Sequence, residues 1–251
     1  MGKRHEAIGI KQAIRYEWMQ KVANLVLVGL DKNQIRKELH DYLEDRMGSG
    51  TRGERSAEAR SFAVSILMNT WATPDPVLMR LRNSLLKFVE QGGGHEKVAH
   101  WIMICAAYPF WFNVARQTGR LLALQDQVTM KQITNRMVEE YGDRQTVSRN
   151  AQFVVRSFVY WGFLVDATIP GSYEKAAPGV IQDQNLAILM FEGALHATTE
   201  AKGALGLLSN SPAFFPFQLP VMTGALVVQR SDRIDVVRYG LDDELLKLKG
   251  N

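Results

Sequence analysis

Apolar positions recur at helical intervals through most of the chain. Between 11 and 29 the in-register set is Ile14, Trp18, Val22, Leu25 and Val26, closed by Gly29. Asp31 is a good N-cap for a helix to about 46, with Ile35, Leu39, Tyr42 and Leu43 inward. Residues 47–53 are turn-rich. Ser56 opens a third helix through 71 on Ala59, Phe62, Ala63, Ile66 and Leu67, although Glu58 sits too early for a full capping box. After Thr73-Pro74-Asp75-Pro76, helices are expected over 77–91 and, past the connector Gly92-Gly93-Gly94, over 96–107. Tyr108-Pro109 breaks that apolar run. Residues 112–124 read as helix, with Arg116 and Arg120 one turn apart.

The stretch from 129 to 181 organises the rest. Ile133, Met137, Val138 and Tyr141 mark one helix, and Gly142-Asp143 ends it. A second helix begins near Thr146, with Val147, Ala151, Val154, Val155 and Phe158 on its inner face and Gly162 at its end. Leu164-Val165 and Tyr173 flank a Pro170-Gly171-Ser172 turn, with Pro178-Gly179 following. Helix, tight turn, helix and hairpin together outline a winged helix, whose second helix enters the DNA major groove. Beyond it, 183–208 reads as one or two helices, 209–220 as a Pro- and Phe-rich turn, 233–239 as a short strand and 242–249 as a final short helix. No 20–50-residue sequence repeat is visible. The expected class is mainly α: a helical bundle with helix-turn-helix and winged-helix elements and a small β component at the wing and C-terminus. Three segments follow: an N-terminal helical part (1–91), a winged-helix part (95–181) and an α+β extension (182–251).

The outer face of the 146–161 helix holds Arg149, Gln152, Phe153, Arg156 and Tyr160, flanked by Ser148 and Asn150. Arg144, Gln145 and Thr146 lead into it, and no acidic residue lies between Asp143 and Asp166. Arg reads guanine and Gln or Asn reads adenine through paired hydrogen bonds, while Ser, Thr and helix-start N–H groups hold phosphates. Ser148, Arg149 and Gln152 are therefore candidate base readers. Arg116, Arg120, Arg136, Arg144 and Lys175 are candidate phosphate ligands, and Gln145, Thr146 and Arg156 complete the surface. The same face fits a protein partner through Phe153 and Tyr160, since aromatics and Arg are enriched at interfaces. Arg52, Arg55 and Arg60 form a second basic junction, offset by Glu54 and Glu58.

The net charge of +4 on 251 residues is compatible with nucleic acid without arguing for it. One cysteine, Cys105, excludes an internal disulfide framework and suits a reducing cytoplasm. No signal-peptide pattern opens the chain. Residues 98–115 lack formal charge but are interrupted by His100, Pro109 and Asn113, so a buried helix is expected there rather than a membrane span. The five histidines fall in no metal-ligand spacing, and no P-loop, dinucleotide or nucleophile motif occurs. No cofactor is expected, and nothing makes a positive case for an enzyme. Double-stranded DNA is the expected partner, with a homodimer open.

The sequence resembles a known family in four stretches: VANLVLVGLDKNQI at 22–35, the helix over 56–71, AAYPFWF at 106–112, and SRNAQFVVRSFVYWGFL at 148–164. It is similar there to BrxA, a small component of bacterial BREX phage-defence systems. The resemblance covers about 22–164 and leaves 183–251 unassigned. It implies an all-helical, winged-helix, DNA-binding accessory protein that works beside other defence proteins.

Overall fold

The computed structural model describes residues 2–44, 56–239 and 243–250. A short helix α1 (Gly2–Glu6) leads to α2 (Tyr16–Leu27), α3 (Lys32–Tyr42) and α4 (Ala57–Leu67). Asp31 caps α3 as expected: its side chain accepts from the Asn33 and Gln34 amides, and Gln34 accepts in return from the Asp31 amide at 2.9 Å. Helix α2 starts five residues later than its apolar spacing suggests. Residues 8–14 instead run irregularly along a distant helix, which supplies their hydrogen bonds. The expected third helix also changes character before Trp71, passing into a π-turn over Met68–Ala72. The turn-rich loop at 47–53, with Arg52 and Arg55, lies outside the described residues.

A single 3-10 turn (Pro76–Leu78) enters α5 (Met79–Gln91), followed by α6 (His95–Ala107) and α7 (Pro109–Leu122). The chain bends by 114° between α6 and α7, at the Tyr108-Pro109 step that sequence marks as a break. No single helix among the described residues is long and apolar enough to cross a membrane. Helix α6 is apolar because it is enclosed: every residue from Val98 to Ala106 is buried.

Next come β1 (Gln127–Thr129), α8 (Met130–Tyr141), α9 (Gln145–Tyr160), β2 (Leu164–Asp166) and β3 (Ser172–Lys175). Thr129 closes a capping box with Gln132, Gly142 takes a left-handed φ of 86° between α8 and α9, and Gly162 one of 71° after α9. The three strands form an antiparallel sheet in the order β1-β3-β2. Then follow β4 (Gly179–Val180), α10 (Gln184–Ala197), β5 (Lys202–Ala204), α11 (Leu205–Ser209), a 3-10 turn (Pro212–Phe214), β6 (Phe217–Gln218), α12 (Gly224–Arg230), β7 (Ile234–Tyr239) and β8 (Asp243–Leu248). The expected helix over 242–249 is a strand. The segment is too short to hold a helix alone, and β7 and β5 offer it backbone partners on both sides, with Leu246 buried.

The second sheet has the order β5-β8-β7, again antiparallel. The topology of 109–175, helix, strand, two helices and a hairpin whose last strand lies centrally, therefore recurs over 184–248 without a matching sequence repeat. Strand β4, in the segment that connects the two units, pairs parallel with β6 of the second. Trp101 of α6 lies between the units, with the rings of Trp111, Phe158, Trp161, Phe163, Phe215 and Phe217 centred 5.2–6.3 Å away. Two glycines permit close backbone approach. A Cβ on Gly193 of α10 would sit 2.7 Å from Ile102 Cγ2, and one on Gly119 of α7 would run into the Pro212 carbonyl.

Candidate functional site

Helix α9 is the longest among the described residues, at 16 residues. Its apolar stripe, Val147, Ala151, Val154, Val155 and Phe158, is fully buried, as the spacing predicts. A second buried stripe holds polar residues, which sequence reasoning missed. Asn150 Nδ2 donates to the Ile8 carbonyl at 2.8 Å, Ser157 Oγ accepts from the Ile14 amide at 2.9 Å, and Trp161 Nε1 donates to the Ile14 carbonyl at 2.9 Å. Residues 8–14 thus cover one flank of α9 and satisfy its polar side chains. What stays open is the strip Gln145, Thr146, Arg149 and Gln152, with Ser148, Phe153, Arg156 and Tyr160 half-buried.

The start of α9 has no side-chain cap, a property it shares with α2, α5, α6 and α7. Side chains of Asp31, Ser56, Thr129 and Asp183 cap α3, α4, α8 and α10, whereas α9 has Arg144 at its N-cap and, like α3, α8 and α10, no acid in its first turn. Arg144 Nη2 donates instead to the Tyr141 carbonyl at 2.9 Å. The first N–H groups of α9 are thus left without side-chain acceptors, beside a guanidinium and at the positive end of the helix dipole.

The eleven sequence-selected residues divide by what already holds them. Arg156 Nη1 donates to both carboxylate oxygens of Asp166 on β2, at 2.7 and 2.9 Å, which ties the hairpin to the helix. Arg116 meets Glu140 at 2.7 Å and Arg136 meets Glu139 at 3.1 Å. Arg120, Arg144, Arg149 and Lys175 are exposed and carry no ion pair among the described residues. Arg144, Thr146 and Arg149 share an open hollow of about 610 Å³. Arg120 and Arg136 line another, of about 540 Å³, together with Glu139 and Pro212. Lys175 stands apart on β3, opposite Leu164. Ser148 and Gln152 lie on α9 beyond either hollow.

The hollow at the start of α9 has a second wall that the sequence did not disclose: Glu6, Lys11 and Gln12 from the N-terminal segment, and Ser56, Glu58 and Phe62 from α4. Lys11 lies 4.8 Å from the Phe62 ring centre, and Arg149 lies 5.8 Å from that of Phe153. Tyr160 is flanked by Arg15 at 4.3 Å and Arg156 at 5.2 Å. Only the alternation of Ile8 and Ile10 around Gly9 hinted that this segment was not helical. Arg60, from the second basic junction, pairs with Glu44 at 3.0 Å.

Elsewhere several titratable groups are buried. Cys105 is buried and its thiol is pushed up by that burial. His100 is fully buried, and burial holds its pKa down to about 3. His196 is lowered to about 4 by burial and by the charges of Arg4 and Arg233. Glu192 receives two hydrogen bonds from Arg233, both at 2.7 Å, tying α10 to the start of β7. Among the described residues no group of three or more His, Cys, Asp or Glu side chains is placed to hold a metal ion. No protein-family model, curated protein or solved structure matches the chain.

Proposed function

We propose that the protein is a non-enzymatic double-stranded DNA-binding protein, that 109–175 is a winged helix, and that α9 is its major-groove helix. One observation carries the reading: an exposed, acid-free strip of Gln145, Thr146, Arg149 and Gln152 on a helix whose N-terminus no side chain caps. The β2–β3 hairpin after α9, paired with β1 before α8 in the order β1-β3-β2, supports the winged-helix assignment. In this reading Arg149 and Gln152 face base edges, with Ser148 beside them. The α9 N–H groups, Thr146, Arg144, Arg120 and Lys175 take phosphates. Arg156 positions the hairpin through Asp166, and Arg116 and Arg136 contribute charge from within ion pairs. The resemblance to BrxA extends the proposal to a cytoplasmic accessory role in phage defence, beside other proteins of a BREX-like system.

The test is fluorescence anisotropy on a random duplex of about 30 base pairs across a salt series, comparing the wild type with an Arg144→Ala/Arg149→Ala double variant. Affinity should fall with a log–log slope of about −0.9 per phosphate neutralised, and the variant slope should be shallower by close to one such contact, that of Arg144. No binding at low salt refutes the function. Binding with an unchanged slope moves the site off α9. The rival reading, a protein-docking face built on Phe153 and Tyr160, is weaker because cationic side chains of this chain already lie over both rings.

A further inference from the structure

The sheet order β5-β8-β7 leaves β7 on an edge. Proteins keep sheet edges from pairing with other chains by making edge strands short, or by placing Lys, Pro or bulges on them. The other edge strands here follow that rule: β1, β2 and β5 have three residues each, and β4 and β6 two. Strand β7 does not. It runs six residues, Ile234–Tyr239, with no Pro, Gly or Lys. It also exposes two large apolar side chains, Val237 at 49% and Tyr239 at 47%.

The direction of its free backbone groups follows from the pairing with β8. The Lys249 amide donates to the Arg233 carbonyl at 2.9 Å, just before the ladder that matches Ile234 with Leu248. Antiparallel hydrogen-bonded pairs alternate. Odd-numbered residues of β7 therefore turn their backbone groups toward β8, and Val236 and Arg238 turn theirs outward.

We propose that β7 pairs antiparallel with β7 of a second copy of this chain across a two-fold axis, joining two three-stranded sheets into one of six. A two-fold axis perpendicular to the sheet keeps each face on its own side, so residues opposite one another must belong to the same face. With Val237 on the axis, it meets the Val237 of the second copy, and Asp235 faces the other Tyr239. Val236 and Arg238, whose backbone groups point outward, form the hydrogen-bonded pairs. No like charges oppose each other, and both exposed apolar side chains are covered. The proposal does not depend on DNA binding, and its test contains no DNA.

The experiment is sedimentation equilibrium of the full chain from low to high micromolar concentration, with disulfide trapping beside it. The only native cysteine, Cys105, is buried, so a Val237→Cys variant presents one accessible thiol at the axis, adjacent to its copy. Leu207→Cys, at a 76%-exposed position on α11, is the control. The wild type should sediment at twice the chain mass. Val237→Lys, which puts two like charges on the axis, should sediment at the chain mass with an unchanged circular dichroism spectrum. Under mild oxidant Val237→Cys should cross-link at least tenfold faster than Leu207→Cys. A wild type at the chain mass throughout, a dimer that Val237→Lys leaves intact, or equal cross-linking rates would each overturn the pairing. If Val237→Lys fails to fold, the two cysteine variants decide the question.

Discussion

Replacing His100 by Leu tests the account of the core most directly. His100 sits on α6 with its ring edge-on to Tyr16 at 5.6 Å and Trp71 at 5.3 Å, and neither ring nitrogen has a hydrogen-bond partner. Burial lowers its pKa from 6.5 to about 3. The unfolded chain thus takes up a proton near pH 6.5 that the folded chain refuses until near pH 3. The histidine's neutral form is fully compatible with the fold above the unfolded value, and stability is lost as pH falls from there toward the folded one. Well inside that window the loss is about 1.4 kcal/mol per pH unit for one proton. Between pH 7 and pH 5 it integrates to roughly 2 kcal/mol, a large share of a typical total of about 5–15 kcal/mol. Leucine fills a similar volume without titrating or orphaning a nitrogen. Urea unfolding of both proteins at pH 7, 6 and 5 should show their stability difference shifting toward the leucine variant by about 2 kcal/mol over the range. His196 shifts in the same direction and Glu192 in the opposite one, but both proteins contain them, so they cancel in the difference. A gap that stays constant with pH would refute the claim that a neutral, unsatisfied imidazole is held in this core.

Three further outcomes follow from contacts described above. Gly119→Ala pushes a methyl into the Pro212 carbonyl and should cost about 1–3 kcal/mol by overpacking, read as a lower urea midpoint. Glu192→Ala leaves the Arg233 guanidinium, 19% exposed, without its carboxylate, and should destabilise by about 3 kcal/mol or more in the same assay. Arg149→Ala should weaken binding to a preferred DNA site by about 1–3 kcal/mol and relax the choice of base at one position, read by competition with substituted duplexes.

The parts of the fold that sequence disclosed are those whose causes are local. The α8–α9 pair was legible because its Gly142 turn and its apolar spacing both lie within about 30 residues of chain. Strand β1 was not, since Gln127-Val128-Thr129 carries one apolar residue and becomes a strand only through β3, more than forty positions away. Ile14 fits the helical register of α2 yet lies outside that helix, because Ser157 and Trp161 hold its backbone from a distant helix. The second unit was hidden for two reasons. The stretch between α11 and α12 holds a 3-10 turn and β6, which masks the helix pair, and Leu245-Leu246-Lys247-Leu248 reads as an amphipathic turn until its strand partners are known. At the candidate site the exposed side chains of α9 were legible from angle alone. The ion pairs that occupy Arg116 and Arg156 were not, because each depends on where another element sets an acid, whereas Arg136 pairs with Glu139 one turn along the same helix.

The rings around Trp101 come from α7, the end of α9 and the turn after it, and the segment that carries β6. A single indole is therefore a shared keystone for both sheet-bearing units. Substitutions on the outer faces of α9 or α12 can proceed one at a time, because each touches solvent. A change in the offset between the units cannot, because it would have to move six aromatic neighbours together. Over many generations the chemistry each unit presents is free to drift, while the distance between them behaves as a fixed gauge length of the molecule.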